Sequence, residues 1–151
     1  LAVADHLPPP LRAMATAERP IEIRPVEPRD PLRPIVTEPR RRMWYRAVDQ
    51  LPDDPALHRY LLAYASDFSF LGTAMDPHGV SWLSPGMQVA SLDHAMWFHR
   101  PFRFDDWLLY AVDSPSSSGG RGLVRGQFFD RAGRLVASTA QEGLIRRRAP
   151  R

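Results

Sequence analysis

The chain has 151 residues, 44% of them apolar, which is enough for one sizeable hydrophobic core and too much for a chain disordered throughout. It has no stretch of about 20 apolar residues, which excludes a membrane-spanning helix, and no Cys, which excludes disulfides, thiolate metal ligands and cysteine nucleophiles. Twenty basic against 17 acidic residues give a net charge of +3, too small to require a nucleic acid or an anionic membrane as partner.

The first third of the chain is rich in proline. Eleven of the 16 prolines fall in residues 1–55, and proline interrupts both helices and central strands. Residues 1–37 are therefore predicted to form an extended, linker-like arm, with Ile21-Glu22-Ile23 as a possible edge strand. Because the chain starts with Leu, we expect a fragment or a product whose start was lost. No signal peptide is visible, so we expect the protein to lie in the cytoplasm.

A folded domain is predicted over residues 38–148, followed by a short tail, 149–151. Its first element is a strand over residues 42–48. A capping carboxylate followed by Pro55 then indicates the start of a helix that ends by Asp76-Pro77. The helix is predicted to bury a stripe of apolar residues at three- and four-residue spacing: Leu57, Tyr60, Leu61, Tyr64, Phe68 and Leu71.

The remainder of the chain has the composition of antiparallel strands. The Ser- and Gly-rich run 114–120 is predicted to be a mobile loop, and residues 130–133 a hairpin turn. One strand, one long helix and four strands predict an α+β fold, in which a helix packs against a strongly curved antiparallel sheet. The four strand candidates are 87–99, 107–112, 122–129 and 135–145.

Asp67 is the first candidate functional residue, because it lies within the apolar stripe of the predicted helix. A carboxylate that faces the core costs several kcal/mol unless hydrogen-bond donors surround it. Such a residue is typical of an active site. Two structural alternatives stay open: a buried Asp that caps a neighbouring backbone, and a helix that breaks early at Ser66-Asp67.

Gln141 is the second candidate. Period-two alternation places it on the face of the last strand that also carries Ala137, Thr139 and Ile145. A buried amide there needs partners, at about 1–3 kcal/mol if unpaired. The alternative is that the opposite face, with Val136, is the core one and that Gln141 is solvated.

The segment 90–102 contains Ser91 and two histidines. A metal site formed by Asp93, His94 and His99 is rejected, because the histidines are an odd number of residues apart and point to opposite faces unless a bulge intervenes. A serine nucleophile is rejected because no Gly-x-Ser-x-Gly elbow surrounds Ser91. A hydroxyl that orients a water stays open. Alternation places Ser91, Asp93, Trp97 and His99 on one side and Leu92, His94, Met96 and Phe98 on the other.

All the basic residues are Arg, and two clusters of three, 40–42 and 146–148, stand out. Such clusters are usually solvated, and a phosphate-bearing ligand is the alternative. A nucleic-acid partner is not expected, since acidic residues are interspersed with the arginines. Lys is absent, which excludes a Schiff-base lysine and a P-loop lysine.

Several segments closely resemble the acyl-CoA thioesterase II family, and the similarity runs from about residue 18 to 148. The most specific is the long, aromatic-rich string Asp-His-Ala-Met-Trp-Phe-His-Arg-Pro-Phe at 93–102. The others are Leu-Leu-Ala-Tyr-Ala-Ser-Asp at 61–67, Trp-Leu-Leu-Tyr at 107–110, Arg-Gly-Leu-Val-Arg-Gly at 121–126, Ala-Ser-Thr-Ala-Gln-Glu-Gly at 137–143 and Arg-Pro-Ile-Glu-Ile-Arg-Pro at 19–25.

This resemblance implies a hotdog fold, a sheet wrapped around a central helix. Family members are double hotdogs, and the chain resembles the C-terminal hotdog with its linker, so a second hotdog, from an N-terminal half or another copy, is expected as partner. The family's water-activating Asp, Thr and Gln fall by motif on Asp67, Ser91 and Gln141, with Ser in place of the usual Thr. The implied reaction is hydrolysis of medium- or long-chain acyl-CoA without metal or cofactor.

Two other functions remain open. A hotdog hydratase or dehydratase pairs an Asp with a His, and His78 is the nearest candidate here, in a loop after a Pro. A non-catalytic module would bind acyl-CoA or a partner chain without turnover.

Overall fold

A curled antiparallel sheet packs around one main helix in the computed structural model, which describes Arg12 and residues 19–148. The predicted α+β layout is therefore confirmed. The strands in the described residues are β1 (Ile21–Pro25), β2 (Arg40–Ala47), β3 (Met87–Ser91), β4 (Ala95–Phe98), β5 (Leu108–Ser118), β6 (Arg121–Phe129) and β7 (Leu135–Arg147). The helices there are α1 (Pro55–Ser66), the single turn α2 (Gly72–Met75) and a 3₁₀ turn (Asp76–His78). The strand order is β1-β2-β5-β6-β7-β3, and β4 also pairs with β7.

Helix α1 starts as predicted and ends at Ser66, ten residues before the predicted limit at Asp76. The Asp54 carboxylate accepts from the backbone N–H of Ala56 at 2.9 Å, and Pro55 occupies the first turn. The helix ends at Ser66, whose hydroxyl donates to the carbonyl of Ala63, and Ser69 then adopts a left-handed backbone with φ 62°. A left-handed residue cannot continue an α-helix, so the chain turns here.

The predicted apolar stripe of α1 is wrong in phase. Tyr60 and Tyr64 are 71% and 62% exposed. The spacing of four and three residues is present, but it begins at His58 and includes the small residues Ala65 and Ser66. The buried residues of α1 are His58, Leu62, Ala65 and Ser66.

The core lies between α1 and the concave face of the sheet, and aromatic rings fill its centre. The Tyr110 and Phe128 rings stack at 3.8 Å between centroids, and Tyr45 meets both rings edge-on. Gly126 leaves room for this arrangement, because a Cβ there would lie 2.3 Å from the Tyr110 ring. Burial raises the pKa of Tyr110 well above its usual value, so its hydroxyl stays protonated.

The described part of the predicted arm runs along the body of the domain. Strand β1 pairs with β2 at one edge of the sheet, as expected for Ile21-Glu22-Ile23. Further along, Arg29 forms an ion pair with Asp76, and the Ser81 hydroxyl donates to the carbonyl of Pro31 at 2.6 Å. The rest of the predicted arm, residues 1–18 apart from Arg12, and the predicted tail, 149–151, lie outside the described residues. The boundary between residues 37 and 38 stays a prediction.

The predicted mobile loop at 114–120 is mostly strand. Strand β5 continues to Ser118, and the turn consists of Gly119 and Gly120, both at positive φ. The ladder between β5 and β6 is irregular between Asp113 and Ser116, where Pro115 has no N–H to donate. No helix in the described part of the chain is long and apolar enough to cross a membrane.

Candidate active site

An irregularity in the sheet determines which side chains face the site. Ser91 pairs with Gly143 and Ala95 pairs with Ala140, so four steps along one strand face three steps along β7. The predicted single strand over 87–99 is therefore two strands, β3 and β4, separated by a bulge at residues 92–94. The extra residue reverses the alternation, which brings His94 to the side of Ser91 and overturns the predicted grouping of the two faces.

Asp67, Ser91 and Gln141, which are far apart in the sequence, form one continuous hydrogen-bonded set. The Gln141 amide nitrogen donates to the Ser91 hydroxyl at 2.6 Å. The Ser91 hydroxyl donates to Oδ1 of Asp67 at 3.3 Å. A helix end, the edge strand β3 and the long strand β7 each contribute one side chain. The structure thus places all three predicted site residues together.

Gln141 is the buried anchor of this set. It is 0% exposed and lies opposite Val124 on the concave side of the sheet. The alternative of a solvated Gln141 is thereby excluded. Its Oε1 lies 2.5 Å from Nδ1 of His94, so both ends of the amide have a partner, as a buried amide requires.

Asp67 is exposed, so the predicted burial of this residue is wrong. Asp67 forms the C-cap of α1. This position agrees with the structural alternative in which the helix breaks early at Ser66-Asp67. Because the helix ends there, the carboxylate leaves the buried face and lines a cleft of about 620 Å³ together with Ser91 and Phe70. An exposed carboxylate at the wall of a cleft is accessible to water and to a bound ligand.

His94 is a member of the site that sequence reasoning missed. Its Nε2 lies 2.8 Å from the hydroxyl of Ser66, the last residue of α1, and its Nδ1 contacts Gln141. Regular alternation predicts that His94 lies on the face opposite Ser91. The bulge between Ser91 and Ala95 instead places His94 on the same face as Ser91. The signal that could have suggested it is its position beside Asp93 in the most distinctive motif of the sequence.

The other candidate groups contact residues away from this set. His78 hydrogen-bonds Ser117 at 2.9 Å, and His99 hydrogen-bonds Ser138 at 2.8 Å. Among the described residues there is no cluster of three His, Asp or Glu side chains that could hold a metal ion. In the first arginine cluster, Arg41 pairs with Asp76 and Arg42 with Glu27, so carboxylates already occupy both.

Comparisons with known proteins cover nearly the whole chain. A family model described as acyl-CoA thioesterase matches residues 10–144. The chain is 43% identical over 144 residues to acyl-CoA thioesterase 2 of Haemophilus influenzae, covering 95% of this chain and 50% of that protein. It is 45% identical over 138 residues to human acyl-coenzyme A thioesterase 8, covering 90% of this chain and 42% of that protein. The chain therefore spans about half the length of these curated relatives.

Solved structures show the same fold. The crystal structure of an acyl-CoA thioesterase II from Mycobacterium marinum superposes with a TM-score of 0.71 at 44% identity, covering 89% of this chain and 56% of that one. A Streptococcus mutans protein solved with acetyl-CoA superposes with a TM-score of 0.61 at 12% identity, which shows likeness of fold alone; it covers 89% of this chain and 97% of that one. The predicted hotdog fold is confirmed.

Proposed function

The chain belongs to the acyl-CoA thioesterase family, and on this premise we propose that it supplies the catalytic residues for hydrolysis of acyl-CoA to a free fatty acid and CoA. The observation that supports this proposal most is the hydrogen-bonded set of Asp67, Ser91 and Gln141. The three groups combine an exposed carboxylate, a hydroxyl and a buried amide, which suits activation of a water molecule. No step of this reaction needs a metal or an organic cofactor.

Asp67 is the proposed general base. Ser91 donates to one of its oxygens, and a carboxylate has about four acceptor positions, so lone pairs remain for a water molecule. Asp67 removes a proton from this water as the water oxygen attacks the carbonyl carbon of the thioester. The carbon–sulfur bond then breaks, the CoA thiolate leaves, and the proton passes from Asp67 to the sulfur, which restores the carboxylate.

Ser91 and Gln141 position this base. The Gln141 amide donates to the Ser91 oxygen, so the Ser91 proton is directed at Asp67. A hydrogen bond to a carboxylate is worth about 1.5–3 kcal/mol. We propose that the pair orients the carboxylate and the adjacent water, and that neither residue is acylated.

A medium- or long-chain acyl group is the proposed substrate moiety. The cleft beside Asp67 and Ser91 has a volume of about 620 Å³, within the range of about 300–1,000 Å³ typical of ligand pockets. Apolar side chains from several elements supply much of its wall, which suits a hydrocarbon chain. These include Met43, Phe70, Leu71, Met75 and Val89.

A second hotdog is the proposed structural partner. The chain spans about half the length of the relatives named above. Strand β3 lies at the edge of the sheet, and an edge strand offers unpaired backbone groups to another chain. Large apolar side chains are exposed beside this edge, with Leu92 55% and Trp97 53% exposed. The partner is an N-terminal half of the same protein or another copy of this chain.

A hydratase or dehydratase function is less well supported by the contacts. The Asp–His pair that such a reaction needs is not formed with His78, which contacts Ser117. His94 is closer to the site, but both of its ring nitrogens are engaged, one by Gln141 and one by Ser66. Hydration of crotonyl-CoA, measured beside thioester cleavage, distinguishes the two enzyme classes.

Substitution of Asp67 tests the proposal. The variant Asp67→Asn keeps the shape and removes the base, so we expect kcat for thiol release from acyl-CoA to fall by a factor on the order of 10²–10⁴. Free thiol is measured by reaction with a chromogenic disulfide over a series of acyl chain lengths. The protein is expressed from its complete gene, so that any partner hotdog is present.

Asp93→Asn is the matched control. Asp93 lies in the bulge near Ser91, but its carboxylate accepts from the backbone N–H of Glu142, a bond that an Asn oxygen also accepts. We expect little change in kcat. An active wild type with an unchanged Asp67→Asn variant would assign the chemistry elsewhere. Binding of acyl-CoA by the wild type without release of thiol would favour the non-catalytic module.

A further inference from the structure

We propose that His94 is a positioning residue that sets the orientation of the Gln141 amide and thereby directs the Ser91 proton at Asp67. This inference deepens the proposed function and rests on it. It starts from the contact between Nδ1 of His94 and Oε1 of Gln141, which are 2.5 Å apart.

The direction of each hydrogen bond in the site follows from this contact. An amide oxygen only accepts, so Nδ1 of His94 must donate to Oε1 of Gln141. The Gln141 nitrogen is then left to face Ser91, where it donates. The Ser91 oxygen accepts that bond, and its own proton goes to Asp67. The chain of donors therefore runs His94, Gln141, Ser91, Asp67 and ends on the carboxylate.

A flipped Gln141 amide would reverse this order. Its oxygen would face Ser91, the Ser91 hydroxyl would donate to that oxygen, and Asp67 would lose its donor. Gln141 is fully buried, so solvent cannot satisfy whichever end lacks a partner. His94 favours one of the two orientations, because an imidazole with a proton on Nδ1 matches an oxygen at this position and clashes electrostatically with an amino group.

His94 also closes the set into a ring. Its Nε2 lies 2.8 Å from the hydroxyl of Ser66, and Ser66 is joined to Asp67 by a peptide bond. The ring passes from Asp67 through Ser91, Gln141 and His94 to Ser66 and back to Asp67. His94 thus links the buried amide of β7 to the end of α1 that carries the proposed base. Residues in one such network act as a unit, and loss of one loosens the others.

Three substitutions in the protein expressed from its complete gene test the inference. His94→Phe keeps a planar ring and removes the Nδ1 donor. His94→Asn restores an N–H close to the position of Nδ1. His99→Phe is the matched control. His99 lies in the same segment and also hydrogen-bonds a β7 side chain, Ser138, but it takes no part in the closed set of contacts that links Asp67 to Ser66.

We expect His94→Phe to lower kcat on the order of 10-fold to 10²-fold with little change in KM, since the base is misoriented and the acyl cleft is intact. His94→Asn should recover most of this loss, and His99→Phe should show no comparable loss. A purely structural role predicts instead that His94→Asn and His94→Phe are equally impaired. Unchanged kcat in His94→Phe, or no recovery in a folded His94→Asn variant, overturns the inference.

The wild-type protein offers a second test that needs no activity and no variant. In a ¹⁵N-histidine-labelled sample, the NMR shifts of the His94 ring nitrogens report which of them carries a proton. The inference requires a proton on Nδ1, whether or not Nε2 also carries one. A ring protonated on Nε2 alone overturns the inference. If the wild type hydrolyses no acyl-CoA, the proposed function fails, and this spectrum still decides whether His94 orients Gln141.

Discussion

At position 91 the chain carries Ser, where the resemblance to the family predicts Thr. A Thr methyl restricts rotation about χ1, whereas Ser samples its rotamers more freely. Ser91 is exposed in the described structure, so a methyl group has space beside the cleft. We expect Ser91→Thr to keep or raise kcat, measured by thiol release, because the hydroxyl stays and becomes better oriented.

Removal of the hydroxyl should have the opposite effect. Ser91→Ala deletes both the donor to Asp67 and the acceptor for the Gln141 amide. A hydrogen bond to a charged group is worth about 1.5–3 kcal/mol, so we expect kcat to fall about 10-fold to 100-fold. A folded Ser91→Thr variant as inactive as Ser91→Ala would contradict this prediction and show a pocket rebuilt around Ser.

The Asp105 carboxylate, in the connection between β4 and β5, hydrogen-bonds the segment that leads into α1. Asp105 accepts from Arg103 and from the backbone N–H of Leu51. The hydrogen bond from Arg103 lowers the pKa of Asp105 to about 2, below the value near 3.9 of an unfolded Asp. Its stabilisation is therefore present above about pH 4 and is lost as the pH falls towards 2.

We expect Asp105→Asn to flatten the acid dependence of stability. Below the pKa of Asp105 in the folded protein, the wild type has lost this contribution. The free energies of unfolding of the variant and the wild type should therefore converge at low pH. Near neutral pH the variant should be less stable by about 1 kcal/mol, since Arg103 is partly exposed and water screens the pair. Denaturant unfolding between pH 2 and 7 measures the difference. Asp53→Asn, on the exposed side of Arg103, is the control, and an equal effect of both variants would contradict the assignment.

Association with a second hotdog is the prediction for the molecule as a whole. The described residues leave the β3 edge and the apolar side chains beside it uncovered, and large exposed apolar patches usually mark an interface. We expect the 151 residues, expressed alone, to form a dimer or larger assembly, measured by size exclusion with light scattering. A stable, active monomer of 17.2 kDa would contradict the prediction.

Sequence patterns predicted most of the order of elements and singled out Asp67 and Gln141 as candidates, for identifiable physical reasons. A capping carboxylate before Pro55 acts within one turn, so the start of α1 can be read locally. Period-two alternation holds along an uninterrupted strand, so the inward direction of Gln141 on β7 could be anticipated. The roles of Asp67, Ser91 and Gln141 came from resemblance to a family, and they stay predictions.

Tertiary structure decided the features that depend on contacts between distant segments. Two stripes with similar spacing are present on α1, and the folded structure buries the one that contains Leu62 and Ala65 and exposes Tyr64. Pairing with β7 places the bulge at residues 92–94, and the bulge turns His94 towards Gln141. Neither outcome is encoded in local periodicity, because helix phase and strand register are chosen by the surface against which an element packs.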